Sequence, residues 1–228
     1  MKKQKYLFLA VTFLLSFGLA LFVAMSVFPD NPFSKTETKK ADNNLQSKLK
    51  DGDIIFQTSQ SAQCEAVRIA TNSKFSHCGI IYDINGKWFV FEAVQPVKLT
   101  PFEEWIQHGK ENKYLIKRLK NADHVLTPAI VQKMQNYSQQ FDGRDYDGYF
   151  EWTDNKIYCS ELVWKIYKNG ASIELCPLHQ LQDFNLKDDR VQKILKERYG
   201  NDILLGEKVV SPSNLADSDL LKTVIDTY

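Results

Sequence analysis

Cys159, His77 and Glu92 are the residues of this chain whose types and settings could make an activated thiol. Cys159 lies in Lys156-Ile-Tyr-Cys-Ser-Glu-Leu-Val-Trp-Lys-Ile-Tyr167, where Leu162, Val163 and Ile166 recur at three- and four-residue spacing. Glu161, Lys165 and Lys168 fall between them, so the spacing predicts an amphipathic helix closed by Asn169-Gly170, with Cys159 on its first turn. Backbone N–H groups without helical partners and the positive end of the dipole favour a thiolate there, and the thiolate is the nucleophile. A competing reading stands beside this one. Cys159 shares the apolar stripe, and free cysteines are among the most buried residues, so an inert core thiol fits the same pattern.

The partners of such a thiol would come from a hairpin. Ser76-His-Cys-Gly-Ile-Ile-Tyr-Asp-Ile84 and Lys87-Trp-Phe-Val-Phe-Glu-Ala-Val94 flank Asn85-Gly86, a pair that accepts positive φ in a type I′ turn. If Ile84 faces Lys87, the numbers of paired residues sum to 171, and Gly79 opposes Glu92 while His77 opposes Val94. His77 and Glu92 then become diagonal neighbours on one face. A carboxylate beside a histidine fixes its tautomer and stabilises the imidazolium, the third role in a nucleophile–base–orienter set. Gly79 leaves room for that approach, although glycine can also mark a bulge that shifts register. Taken singly, a strand histidine and a strand glutamate are more often structural or solvated. Cys78 points to the face opposite His77 and reads as core filling.

Gly52-Asp-Ile-Ile-Phe56, Phe75-Ser-His-Cys-Gly-Ile-Ile-Tyr82 with Phe91-Glu-Ala93, Tyr146-Asp-Gly-Tyr-Phe150 and Tyr158-Cys-Ser-Glu-Leu-Val163 together resemble the permuted NlpC-type cysteine peptidases of the YiiX/YaeF group, over about residues 48–217. The resemblance implies an α+β, circularly permuted papain-like (NlpC-type) fold, a small antiparallel sheet or barrel packed against a cysteine-bearing helix. It implies Cys159 as nucleophile, His77 as general base and Glu92 as the orienting residue. It also implies a substrate with an amide or related acyl bond, cell-wall peptide and lipid both remaining open. A long tether and Cys78 directly after the histidine depart from the family pattern, and neither removes a catalytic position.

Positioning these residues requires a folded domain, and the chain has room for one. It has 228 residues, a formal net charge of +1, and 43% hydrophobic and 25% charged residues, ordinary for a globular protein. No charge excess and no aromatic–basic interleaving points to nucleic acid. The amino end differs. Lys2, Lys3 and Lys5 precede an uncharged run of 23 residues, Tyr6 to Phe28, close to the ~20 that cross a bilayer. Residues 1–28 are therefore expected to be a membrane anchor or signal segment, with the remainder outside the cytoplasmic membrane, or exported if the segment is cleaved at Ala24-Met-Ser26. Residues 29–47 are polar and expected to be a tether, and residues 48–228 the hydrolase domain.

Within the domain, Ile54-Ile-Phe56 predicts a first strand and Ser61–Thr71 a helix. Thr100-Pro-Phe-Glu103 has the form of a capping box, so a helix is expected over Pro101–His108, with Phe102 and Trp105 packing on the hairpin. Lys113–Leu119 alternates as a strand, and Thr127-Pro128 opens a helix with Ile130, Met134, Tyr137 and Phe141 on one stripe. The aromatic, glycine-punctuated loop Asp142–Asn155 precedes the cysteine helix and either walls a cleft or is a packed connection. Tyr146 within it and Tyr158 just after it are the candidates for substrate or oxyanion contact. Asp188–Arg198 reads as a surface helix and Ser211-Pro212 as the start of a short last one, both without chemistry.

No Cys-x-x-Cys or His-Glu-x-x-His occurs, and His108, His124 and His179 fall in expected ends and loops, so no metal site and no cofactor is expected. Cys64, Cys78 and Cys176 accompany Cys159 in an oxidising compartment, where one disulfide could form. Three functions remain open: a cell-envelope cysteine hydrolase (amidase or peptidase), a lipid-directed thiol esterase or acyltransferase on the same triad, and a binding module without catalysis. The expected partners are a cell-wall peptide or lipid substrate and the membrane, through residues 6–28.

Overall fold

The computed structural model describes residues 43–228. The expected membrane segment, 6–28, and most of the expected tether lie outside the described residues, and among the described ones no helix is long and apolar enough to cross a membrane. The described chain begins with α1 (Asn43–Gln46), then β1 (Ile54–Gln57) and α2 (Ala62–Ala70), whose N-terminus is capped by the Ser61 side chain. The hairpin follows as β2 (His77–Ile84) and β3 (Lys87–Glu92). Asn85 and Gly86 have φ of 57° and 79°, and Ile84 pairs with Lys87, Ile80 with Phe91, the register expected from the turn.

Next come β4 (Lys98–Pro101), α3 (Phe102–Gln107), β5 (Tyr114–Leu119), α4 (Ala122–Val125) and α5 (Pro128–Ser138). The cysteine helix is α6 (Cys159–Gly170), followed by β6 (His179–Gln180), α7 (Asp189–Tyr199), β7 (Lys208–Val209), α8 (Pro212–Ala216) and β8 (Leu221–Asp226). Six strands form one antiparallel sheet in the order β4-β3-β2-β1-β5-β8. The fold is α+β.

The two-residue period of the strands sorts the core into two layers. Ile54, Phe56, Cys78, Ile80, Tyr82, Leu115 and Leu119 belong to the cluster that holds Met134 of α5 and Leu162, Val163, Ile166 and Tyr167 of α6. Ile55, Ile81, Val90, Tyr114 and Ile116 belong to the other, with Phe102 and Trp105 of α3. A third, smaller cluster joins α2 to α7 through Ala66, Val191 and Leu195.

One expectation is corrected here. Thr100 does not cap α3. It lies in β4, paired with Val90, and its side chain goes elsewhere, while α3 starts after Pro101 without a side-chain cap. The chain also continues past the last helix into β8, which pairs with β5 and completes the sheet. The four cysteines are all free.

Candidate active site

Cys159 is the first residue of α6 and Tyr158 its N-cap, so the sulfur stands at the helix head where first-turn N–H groups lack helical acceptors. Glu161, on the same turn, is fully buried and accepts from the Tyr158 backbone N–H at 3.5 Å. Its carboxylate lies 2.7 Å from the Lys165 ammonium. Lys165 also donates to Thr153 O at 3.0 Å and Asp154 Oδ1 at 2.7 Å and sits over the Trp152 ring, which ties the aromatic loop to the cysteine helix.

His77 is the first residue of β2 and lies opposite Gln57 of β1. Its Nε2 is 2.5 Å from Glu92 Oε2. The diagonal pairing across β2 and β3 therefore brings the two side chains together. Gly79 is what permits the fit: a Cβ there would stand 2.5 Å from Val90 Cγ1 and 2.8 Å from Phe91 O. Glu92 is 1% exposed. A carboxylate so desolvated needs donors, and it has three: His77 and Trp105 Nε1 (2.8 Å) on Oε2, and Thr100 Oγ1 (2.5 Å) on Oε1. The Trp105 ring also stacks on the imidazole, with centroids 5.9 Å apart and planes at 23°.

Glu92 and Trp105 occupy one side of the sheet, and α6 packs on the other. His77 meets both because it sits at the strand's end. Its charge is governed by Cys159 as well as by Glu92. Cys78, read from the sequence as inert filling, does face away from His77, but that face is the one α6 covers. Cys78 is the neighbour that most strongly favours a thiolate at Cys159.

These contacts set the charges. Burial works against an imidazolium at His77, but the Cys159 and Glu92 partners outweigh it and hold the pKa well above its ordinary value. Cys78, helped by His77 and opposed by burial, holds the Cys159 thiol well below its ordinary value. Burial pushes Cys78 itself well up, so it remains a protonated donor. For Glu92, burial raises and the three donors lower, and the net is a lowered pKa. These directions favour a thiolate beside an imidazolium, itself backed by a carboxylate.

Cys159, His77 and Glu92 all border a cavity of about 580 Å³. Tyr146 and Tyr158 border it too. The Tyr146 hydroxyl accepts from Gln63 Nε2 at 3.1 Å, while the Tyr158 hydroxyl accepts from the Val210 N–H at 3.2 Å and its ring meets Phe150 edge-on. Gln57, unremarked in the sequence, also borders it, with its side-chain oxygen buried and without a hydrogen-bond partner. His108 reaches the cavity, whereas His124 and His179 do not. Among the described residues, no group of three or more His, Cys, Asp or Glu side chains is placed to hold a metal ion.

A family model described as the permuted papain-like amidase enzymes, YaeF/YiiX, C92 family, matches residues 48–225. The chain is 43% identical over 173 residues to the uncharacterized protein YiiX of Escherichia coli K12, covering 76% of this chain and 84% of that one. The crystal structure of metalloprotein YiiX from Escherichia coli O157:H7 superposes with a TM-score of 0.76 at 41% identity, covering 79% of this chain and 99% of that one.

Proposed function

The chain belongs to the permuted papain-like amidases of the YaeF/YiiX group, and from that premise we propose that it is a cell-envelope thiol hydrolase, cleaving an amide or related acyl bond with Cys159, His77 and Glu92. The observation that carries the proposal is the 2.5 Å contact between His77 Nε2 and Glu92 Oε2, because it commits one ring nitrogen to the carboxylate and leaves Nδ1 for the sulfur.

In this reading the thiolate of Cys159 adds to the substrate carbonyl carbon. First-turn N–H groups of α6 face the developing oxyanion, an interaction worth about 3–4 kcal/mol per donor in well-studied enzymes. His77 gives its proton to the leaving nitrogen as the C–N bond breaks, and an acyl thioester remains on Cys159. Neutral His77 then takes a proton from water, whose oxygen attacks the thioester, and the acid leaves as Cys159 regains its negative charge. Glu92 holds the ring and stabilises its charged form throughout.

The basic residues before the apolar run 6–28 support placing the domain on the outer side of the cytoplasmic membrane. The test is to incubate the full-length protein with cell-envelope extract and weigh the adduct on Cys159. A thioester-linked acyl group is expected, absent from Cys159→Ala. If no adduct forms, and iodoacetamide labels Cys159 no faster near pH ~5 than an ordinary thiol, the hydrolase assignment fails in favour of a binding module.

A further inference from the structure

Helix α2 turns one side to the cavity that holds Cys159 and another to a separate, polar concavity of about 460 Å³. Glu65, Arg68, Ile69 and Asn72 border this second one, together with Ser73, Asn185 and Arg190, and none of them borders the first. Steps of three and four residues from 65 to 72 keep these side chains on one face. The proposed mechanism makes no use of that face.

Arg68 lies in the last turn of α2, where a cation commonly satisfies helix carbonyls. Backbone donors already do so here. Val67 O accepts from the Thr71 N–H, Ile69 O from Asn72, Arg68 O from Ser73 and Ala70 O from Asn185. The Arg68 guanidinium is left without a hydrogen-bond acceptor or a carboxylate among the described residues, and its Nε is buried. A charged N–H withdrawn from water and unpaired is destabilising unless an acceptor arrives from outside the chain.

Other donors surround it. Ser73 Oγ accepts from the Phe75 N–H at 3.2 Å, which leaves its own hydrogen to donate. Asn185 Oδ1 accepts from the Lys187 N–H at 3.3 Å, which leaves Nδ2, and the Asn72 amide has no partner among the described residues. Glu65, the one carboxylate in the lining, is paired with Arg190 Nη1 at 2.8 Å, and Arg190 also bonds Asp188 at 3.0 Å.

We propose that this concavity is a phosphate-binding site, with the Arg68 fork on the phosphate oxygens and Ser73, Asn72 and Asn185 as further donors. Arginine matches carboxylate and phosphate alike. Donors from two separate segments, the end of α2 and the stretch before α7, are more than the two coplanar oxygens of a carboxylate can take, whereas a tetrahedral phosphate presents oxygens in several directions. The same chemistry is carried by free phosphate or a monoester and by the phosphodiester of a lipid headgroup. Binding is non-covalent and does not involve Cys159, so it stands or falls apart from the hydrolase reading.

The test is the Tm of the full-length protein against rising inorganic phosphate, with sodium chloride adjusted to hold ionic strength constant. A saturating rise is expected. Arg68→Gln should weaken the apparent affinity about tenfold or more, and Arg68→Lys, which keeps the charge and loses the fork, by less. Glu65→Gln should tighten it, because a competing carboxylate is gone and Arg190 is released. A rise shared equally by Arg68→Gln is a general salt effect and overturns the site, as does acetate binding as tightly as phosphate. If Arg68→Gln does not fold, Glu65→Gln decides, and unchanged affinity there overturns the site. Dimethyl phosphate titrated in the same way separates the sources. Binding tighter than that of inorganic phosphate supports a diester headgroup, and weaker binding supports free phosphate or a monoester.

Discussion

Thr100 Oγ1 lies 2.5 Å from Glu92 Oε1, reaching from β4 to the carboxylate that orients His77. This bond occupies the one oxygen of Glu92 that neither His77 nor Trp105 uses. In the proposed mechanism Thr100 is a positioning residue, acting on the base through the carboxylate.

Thr100→Val keeps the shape of the side chain and removes the donor. Leaving a buried carboxylate oxygen unpaired costs about 1–3 kcal/mol, and urea unfolding should report it. Glu92 has a folded pKa below its ordinary 4.5, so its contribution is complete above that value and is lost as pH falls through the folded one. With Thr100→Val the folded pKa rises, and the acid-unfolding midpoint should move to higher pH. Thr100→Ser should restore both measurements. A valine variant with an unaltered acid midpoint would show that the hydroxyl does not support the carboxylate.

Glu92→Gln tests the next link. His77 has a folded pKa well above 6.5, so the stability its charge contributes is complete below 6.5 and is lost as pH rises through the folded value. An amide cannot stabilise the imidazolium. The alkaline limb of Cys159 alkylation should move to lower pH, and kcat should fall by as much as about 10⁴-fold, the loss an analogous carboxylate-to-amide change produces. An alkaline limb that stays in place would remove Glu92 from the triad.

How far the sequence anticipated this site depends on whether a contact was local or assembled. Asn85-Gly86 set the hairpin register and hence the meeting of His77 with Glu92, because a two-residue turn leaves one pairing. The stripe of Leu162, Val163 and Ile166 put Cys159 at the head of its helix. Thr100 was misread because Thr-x-x-Glu is a sound local cap, and nothing local announces that pairing with Val90 will override it. Alternation alone placed Cys78 on the far side from His77, which is correct, but could not say that α6 would cover that side. Strand β8 joins β5 across about a hundred residues, a tertiary choice that its alternation does not reveal.

Cys78 supplies the third prediction. It is the first of the influences that hold the Cys159 pKa down, and burial keeps its own thiol protonated. Cys78→Ala removes the side-chain donor, so the Cys159 pKa should rise. The acid limb of iodoacetamide labelling should move to higher pH, while Cys78→Ser, which keeps a donor, should move it less. Equal displacement in both variants would mean that lost packing rather than the hydrogen bond is responsible.

Gly79 should tolerate no side chain. An alanine Cβ would stand 2.5 Å from Val90 Cγ1, 2.8 Å from the Phe91 carbonyl oxygen and 3.3 Å from Glu92 Cβ. Val90 can be shortened, but the Phe91 carbonyl belongs to the strand itself, so β2 and β3 must separate where Glu92 is held. Overpacking of this kind costs about 1–3 kcal/mol. Gly79→Ala should therefore lower Tm and also reduce kcat, because a carboxylate moved by a few tenths of an ångström no longer meets both His77 and Thr100. Adding Val90→Ala removes the first clash and not the second, so Tm should stay below that of the parent and kcat should not return. Measuring both quantities on the single and double variants decides the matter. Full recovery in the double variant would mean that the backbone approach of the two strands is looser than the geometry requires.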